Sequence, residues 1–377
     1  MEQPRVVCMG DFALLRDTIS RKKTTFFWVL VGMIDSILRG TSQVILANNT
    51  ISGVLILIAL ASTSPGIFIS GFLAGFTGLI VSMLIQDPLT DIENGLTVYN
   101  PMLIGCITYS LSFNIYGSLD SFLILLTLIA VILSVYLTRA LSNERFPCVT
   151  IPFNIVELIL IFVLVIQKNL TEENLLNENI DDVNITTVNI LKINDNETLE
   201  KNDTPHLDWG MVFRGIVTSS SQVFAVNDVA AGSIIYLAIL IYSPITAVFS
   251  LLGAVIGCFA SLGLDVPYDS IYSGAWGYNS LLSSSAFGGL FIIFNQQSVP
   301  LAFATSIFAV LLQYILQPIF LKAQLPILTV PFVITFTLFL GLRESSDVFN
   351  KPQVITFPEE HRLNYLTSQR SQDSTAE

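Results

Sequence analysis

The residues best suited to hold a small solute come in matched pairs. Gln43 and Gln222 open the otherwise apolar stretches TSQVILANNTISG and SSQVFAVNDVAAG. Burying an amide without a partner costs about 2–7 kcal/mol, so each glutamine must face a neighbouring helix or a permeant. An amide accepts from N–H and donates to C=O, which suits a small amide. Thr150 and Thr329 occupy the same place in FPCVTIPF (146–153) and LPILTVPF (325–332). A proline within a helix removes its own donor and frees the carbonyl four residues back. At membrane depth such backbone persists only where protein or a water-accessible cavity surrounds it. Pro147, Pro152, Pro326 and Pro331 therefore predict broken, acceptor-rich helices beside a pathway, the alternative being a kink patched by threonine. In YNPML (99–103) and YNSLL (278–282), Tyr99 with Leu103 and Tyr278 with Leu282 share one helical face. Such faces serve either as the apolar walls of a narrow slot or as ordinary core.

Charges and catalytic motifs are sparse. Asp35 and Arg214 stand 179 residues apart and are placed to pair or to line opposite ends of a path, and Glu157 and Asp228 are the other acids in apolar sequence. An ionisable group within a membrane is a functional candidate by default. Gly71 and Gly75, at GxxxG spacing, predict a close helix approach. His206 and His361 lie in the polar linker and tail, and the four cysteines have no metal-type spacing. There is no HExxH, GxSxG or CxxC. Neither an enzyme, a cofactor, a metal site nor a nucleic-acid partner is expected.

The elements that must position these pairs are membrane helices. The chain has 377 residues, 52% hydrophobic and 12% charged, with mean hydropathy +0.68, whereas soluble domains carry about 25% charged residues. A membrane helix needs roughly 20 apolar residues, and runs of that kind recur at about 44–62, 66–86, 119–140, 233–260 and 300–321. No short apolar core with a cleavage site follows the basic N-terminal segment, so the first span is expected to act as an anchor.

A shift of 179 residues superposes the two halves without a gap. Ser42-Gln43-Val44 falls on Ser221-Gln222-Val223, Asn48 on Asn227, Gly78 on Gly257, and Tyr99-Asn100 on Tyr278-Asn279. The expected organisation is a cytoplasmic segment 1–24, a first membrane repeat 25–167, a linker 168–208, a second repeat 209–342 and a cytoplasmic tail 343–377. The linker carries ten acids against three lysines and four glycosylation triplets, at Asn169, Asn184, Asn196 and Asn202, which favours a solvated extracellular loop. Basic residues before the first span and after the last favour cytoplasmic termini. Each half then crosses an odd number of times, and the halves are inverted relative to each other. The fold expected is an all-α polytopic membrane protein with two inverted repeats, each of about five transmembrane helices plus a tilted re-entrant helix. The polar tail is expected to be disordered.

LRGTSQV (38–44), NNTISG (48–53), NGLTVYNPMLIG (94–105), FPCVTIPFNI (146–155), SQVFAVND (221–228), GAWGYNSLL (274–282) and LPILTVPF together resemble the urea transporters over about 25–342. The resemblance implies a homotrimer in the plasma membrane, with a pore in every subunit through which dehydrated urea passes passively and flat along a ladder of oxygens. It places Gln43 and Gln222 at the two ends of the constriction and Thr150 and Thr329 on the ladder. Tyr99, Leu103, Tyr278 and Leu282 become slot walls. The family usually has proline where Thr50 and Val229 stand here, and often an aromatic at Leu46, whose symmetric mate is Ala225. The alternatives are a channel for another small neutral solute, such as water, ammonia or another amide, and a non-conducting scaffold derived from the family.

Overall fold

A computed structural model describes residues 9–22, 25–115, 120–142, 146–181, 206–345 and 348–376. All its regular elements are helices. A short α1 (Ala13–Lys22) precedes the first half, which comprises α2 (Phe26–Gln43), α3 (Thr50–Thr63), α4 (Pro65–Leu84), α5 (Leu89–Glu93), α6 (Tyr99–Ile115), α7 (Ser121–Leu141) and α8 (Ile151–Asp181). The second half runs α9 (Trp209–Gln222), α10 (Val229–Tyr242), α11 (Pro244–Gly263), α12 (Tyr268–Tyr272), α13 (Tyr278–Ser285), a π turn at Ala286–Leu290, α14 (Ser298–Lys322) and α15 (Val330–Leu340). Helices α16 (Leu342–Ser345) and α17 (Pro358–Ala376) close the chain. Five helices among the described residues are long and apolar enough to cross a membrane, at 65–84, 121–141, 151–170, 244–263 and 298–322, and α3 and α10 are shorter apolar helices. The chain is a polytopic membrane protein.

The repeat holds at the level of helix starts. Helices α3, α4, α5, α6 and α8 begin 179 residues before α10, α11, α12, α13 and α15, because the same local signals recur. Asn49 caps α3 by accepting from Ser52 N–H, and Asp228 caps α10 by accepting from Ala231 N–H. Proline opens both α4 and α11, where its missing N–H costs nothing. Residues with left-handed backbone also recur at this spacing: Leu46 (φ 61°) with Ala225 (58°), Gln86 with Asp265, and Val149 (37°) with Leu328 (49°). Such conformations cost a non-glycine residue about 1–3 kcal/mol. At Leu46 and Ala225 they complete helix ends in which Ala47 N–H reaches Ser42 O (3.0 Å) and Val226 N–H reaches Ser221 O (3.2 Å).

The halves meet through their own equivalents. Helix α3 packs on α10, where Ser52 donates to Ala238 O at 2.6 Å, and Thr150 meets Thr329. Contact between equivalents places a pseudo-two-fold axis between them, as two inverted repeats require. Close packing within the first half depends on Gly71 and Gly78. A Cβ at Gly71 would lie 2.4 Å from Cys106 Sγ, and one at Gly78 would lie 2.4 Å from Pro101 Cγ.

Four expectations change. The FPCVTIPF prolines do not break helices in mid-course, since Pro152 and Pro331 lie in the first turns of α8 and α15. Asp35 does not pair with Arg214: it bonds Arg39 Nε at 2.8 Å, while Arg214 donates to Tyr272 O at 2.7 Å. No proline or glycine follows Pro152 within α8, and that helix continues through the start of the expected loop to Asp181. Asn169 lies exposed on it, and Asn184, Asn196 and Asn202 fall outside the described residues. The tail is ordered as well: α17 and the segment before it pack on the membrane body, with His361 3% exposed.

Candidate functional site

The centre of the site is built where α8 and α15 begin. Before each helix the chain turns left-handed, at Val149 and Leu328, and then presents a threonine. Tyr99, at the start of α6, donates its hydroxyl to Val149 O at 2.7 Å, and Asn100 Nδ2 reaches the same oxygen at 3.3 Å. In the second half Tyr278 and Asn279 donate to Leu328 O in the same way. The tyrosines are therefore latches on the strained turns. Each Tyr-Asn pair fixes the carbonyl that precedes a threonine, and this fixes where the hydroxyl points.

The two threonines touch: Thr150 Oγ1 and Thr329 Oγ1 are 2.8 Å apart, at 5% and 3% exposure. Asn154, one turn into α8, donates to Thr329 Oγ1 at 2.8 Å and to Thr150 O at 2.7 Å. Sequence reading missed Asn154, although its i,i+4 spacing from Thr150 is the signal that would have found it. Its positional mate is Val333, so this support is one-sided. Two hydroxyls have two protons, and one is used between them, so the pair keeps a free donor and free lone pairs.

Gln43 ends α2, and Gln222 ends α9. The amide oxygen of each is buried without a hydrogen-bond partner among the described residues. Buried polar atoms are nearly always paired, so two orphaned acceptors at equivalent positions mark places where an N–H donor is wanted. A cavity of about 150 Å³ joins one of them to the centre, lined by Gln43, Leu46, Tyr99, Thr150, Ile355 and Thr356, among others. The remaining candidates, Gln222, Ala225, Tyr278, Leu282, Leu103 and Thr329, do not line it. Leu103 and Leu282 are fully enclosed, at 0% and 1% exposure.

A second polar cluster braces the α2–α3 junction. Arg39, 1% exposed, bonds Asp35 at 2.8 Å and Asn48 Oδ1 at 3.2 Å, and Thr50 donates to the other Asp35 oxygen at 2.5 Å. Thr50 thus supplies a donor that a proline could not. Arg39 was overlooked in the sequence, where its i,i+4 relation to Asp35 is the available clue. Glu157 is wholly buried, with both oxygens within 3.0–3.2 Å of the Thr108 hydroxyl. Among the described residues no cluster of histidines, cysteines and carboxylates could hold a metal ion.

Comparison with known proteins agrees with this arrangement. The family model described as "Urea transporter" matches residues 34–344. The chain is 29% identical to urea transporter 1 of Ovis aries over 339 residues, covering 89% of this chain and 84% of the relative. It is 26% identical to urea transporter 1 of Rattus norvegicus over 353 residues, or 91% of this chain and 86% of that one. A family match that takes in both halves, the paired threonines and both glutamines leaves one assignment: the chain belongs to the urea transporter family.

Proposed function

We propose that the protein conducts urea passively across a membrane, through a path that runs from Gln43 past the Thr150–Thr329 pair to Gln222. The observation that carries this reading is the pair of buried, unpartnered glutamine oxygens at equivalent positions of the two halves, together with the two hydroxyls that meet between the halves. Urea N–H groups donate to Gln43 Oε1, then to threonine lone pairs, then to Gln222 Oε1. The hydroxyl proton not used between the threonines donates to the urea carbonyl. Each bond replaces one lost from water, which lets a dipolar but uncharged molecule pass without an ion gradient. In this reading Leu46, Leu103, Ala225 and Leu282 supply apolar wall, and Tyr99 and Tyr278 hold the turns. The chain works as a homotrimer in the plasma membrane, with cytoplasmic termini and a glycosylated extracellular linker.

Purified protein in liposomes is expected to accelerate urea efflux independently of sodium and proton gradients. Gln43→Leu and Thr329→Val should each lower that flux by on the order of tenfold at unchanged protein content, the usual scale for losing one recognition contact. Wild-type flux equal to that of empty vesicles, or undiminished flux in both variants, would overturn the reading. Methylurea, acetamide, ammonia and water, run in the same stopped-flow format, test whether urea is the preferred solute.

A further inference from the structure

The C-terminal segment lies beyond the residues matched by the family model, which end at 344, yet it reaches the site. Ile355 and Thr356 line the cavity that contains Gln43, Leu46, Tyr99 and Thr150. Their placement is secured at several points. Tyr242, at the end of α10, donates its hydroxyl to Thr356 O. Thr356 N–H donates to His361 Nε2 at 2.8 Å, and His361 Nδ1 lies 3.1 Å from Gly289 O. This pairing fixes a neutral imidazole, with Nε2 accepting and Nδ1–H donating. Glu359 accepts from Ser243 Oγ at 2.8 Å and from Ile245 N–H at 2.9 Å, which places a carboxylate at the start of α11, where free N–H groups and the helix dipole favour it. Upstream, Asn350 O accepts from Ile293 N–H at 2.9 Å, and Val348 O accepts from Asn295 Nδ2 at 2.8 Å.

The membrane body is shaped to receive this segment. Helix α6 continues to Ile115, but its counterpart α13 gives way after Ser285 to a π turn that contains Gly289 at φ 140°. A Cβ at Gly289 would lie 2.9 Å from Pro358 Cβ. The seat therefore lies in the second half, and the tail occupies it.

We propose that residues 348–361 are a fixed wall of the conduction path and that Ile355 and Thr356 help to select solutes at the Gln43 entrance. This rests on the reading that urea passes through that cavity. Of the two tail residues in the lining, Ile355 has the larger side chain, so a change in its size would alter the room on that side of the cavity.

The test uses the full-length protein in liposomes. Ile355→Ala should raise methylurea permeability relative to urea by about threefold to tenfold, and Ile355→Trp should lower urea flux by on the order of tenfold. In Ile355→Cys built on a Cys8→Ser/Cys148→Ser background, a bulky thiol reagent should reduce urea flux while leaving the treated background unaffected; Cys148 lines the same cavity, and Cys106 and Cys258 are buried. Wild-type flux and wild-type solute ratios in all three variants would overturn the proposal. If Gln43→Leu still reduces flux in that case, urea conduction through this cavity stands and only the tail's role falls. If Gln43→Leu and Thr329→Val are also silent, both fall.

Discussion

At positions 108 and 157 the first half holds Thr108 and Glu157, bonded to each other inside the bundle. At the two equivalent positions, 287 and 336, the second half holds Phe287 and Phe336, with ring centroids 5.9 Å apart. The backbone frame is shared, but the filling is polar in one half and aromatic in the other. The same divergence appears at Asp35–Arg39, a buried ion pair, against Arg214 and Thr218, where the arginine bonds backbone carbonyls and is partly exposed. What both halves retain lies next to the axis: the threonine, the Tyr-Asn latch and the glutamine with its orphaned oxygen. Most residues at the common centre have kept the repeat, Asn154 against Val333 being the departure there, while pairs such as Asp35–Arg39 and Thr108–Glu157 have diverged with each local bond satisfied.

Substitutions that carry one half's chemistry into the other test this comparison. The largest effect is expected for Phe336→Glu, which buries a carboxyl among Phe287, Phe291 and Phe332 with no hydroxyl to meet it. A loss beyond about 4 kcal/mol is expected, read as collapse of the thermal transition in detergent. Glu157→Gln, which keeps an acceptor for Thr108, should cost about 1 kcal/mol or less. Equal losses in the two variants would mean that the halves do not differ in how they tolerate a polar group. Next comes Asp35→Asn, which leaves the buried Arg39 guanidinium uncompensated and should cost about 3–5 kcal/mol. Arg214→Gln, in the more exposed mate, should stay within about 1 kcal/mol; chemical denaturation of the two variants in parallel settles the order.

The smallest effect concerns pH and the tail that only the second half seats. Burial pushes the His361 imidazole below its ordinary range, against the opposing pull of the Gly289 carbonyl, Glu360 and Glu359. A histidine held neutral in the folded state stabilises the seat above its ordinary value of about 6.5 and loses that contribution as pH falls. Protonation would also place an N–H on Nε2, where it now accepts from Thr356. The labelling rate of Ile355→Cys, divided at each pH by that of a free model thiol to remove the loss of thiolate, should therefore rise several-fold from pH 7.5 to 5.5, and adding His361→Gln should flatten the profile. A pH-independent ratio would remove His361 from the latch.

Much of this was legible in the sequence. A single ungapped offset exposed the duplication, and composition required a membrane-embedded bundle. Turn and cap residues recur at the same offset, so the helix starts followed. The role of the prolines was harder to read. Pro152 interrupts or opens a helix according to the conformation of Val149, and that is set by a latch from Tyr99, 50 residues away in sequence. Arg39 escaped notice because a charge beside an apolar run suggests an interface, until Asp35 and Thr50 are found enclosing it. The tail was misjudged for a similar reason: its polar composition signals solvation, but Glu359 and His361 bond backbone groups of the membrane body at Ile245 and Gly289, and the backbone of Thr356 is taken up by Tyr242 and His361.

The contact between Thr150 and Thr329 sets a limit on how symmetric the molecule can be. Two hydroxyls facing each other across a two-fold cannot each donate to the other, so the chemistry at the axis must choose a direction even where the geometry does not. Asn154, with no counterpart opposite, biases that choice by offering its N–H to Thr329. For a passive conduit this bias cannot drive net movement, because equal concentrations on the two sides must still give zero flux. It can make the two directions saturate at different concentrations, so that a duplicated, nearly mirror-balanced protein would present a different apparent affinity to each side of the membrane.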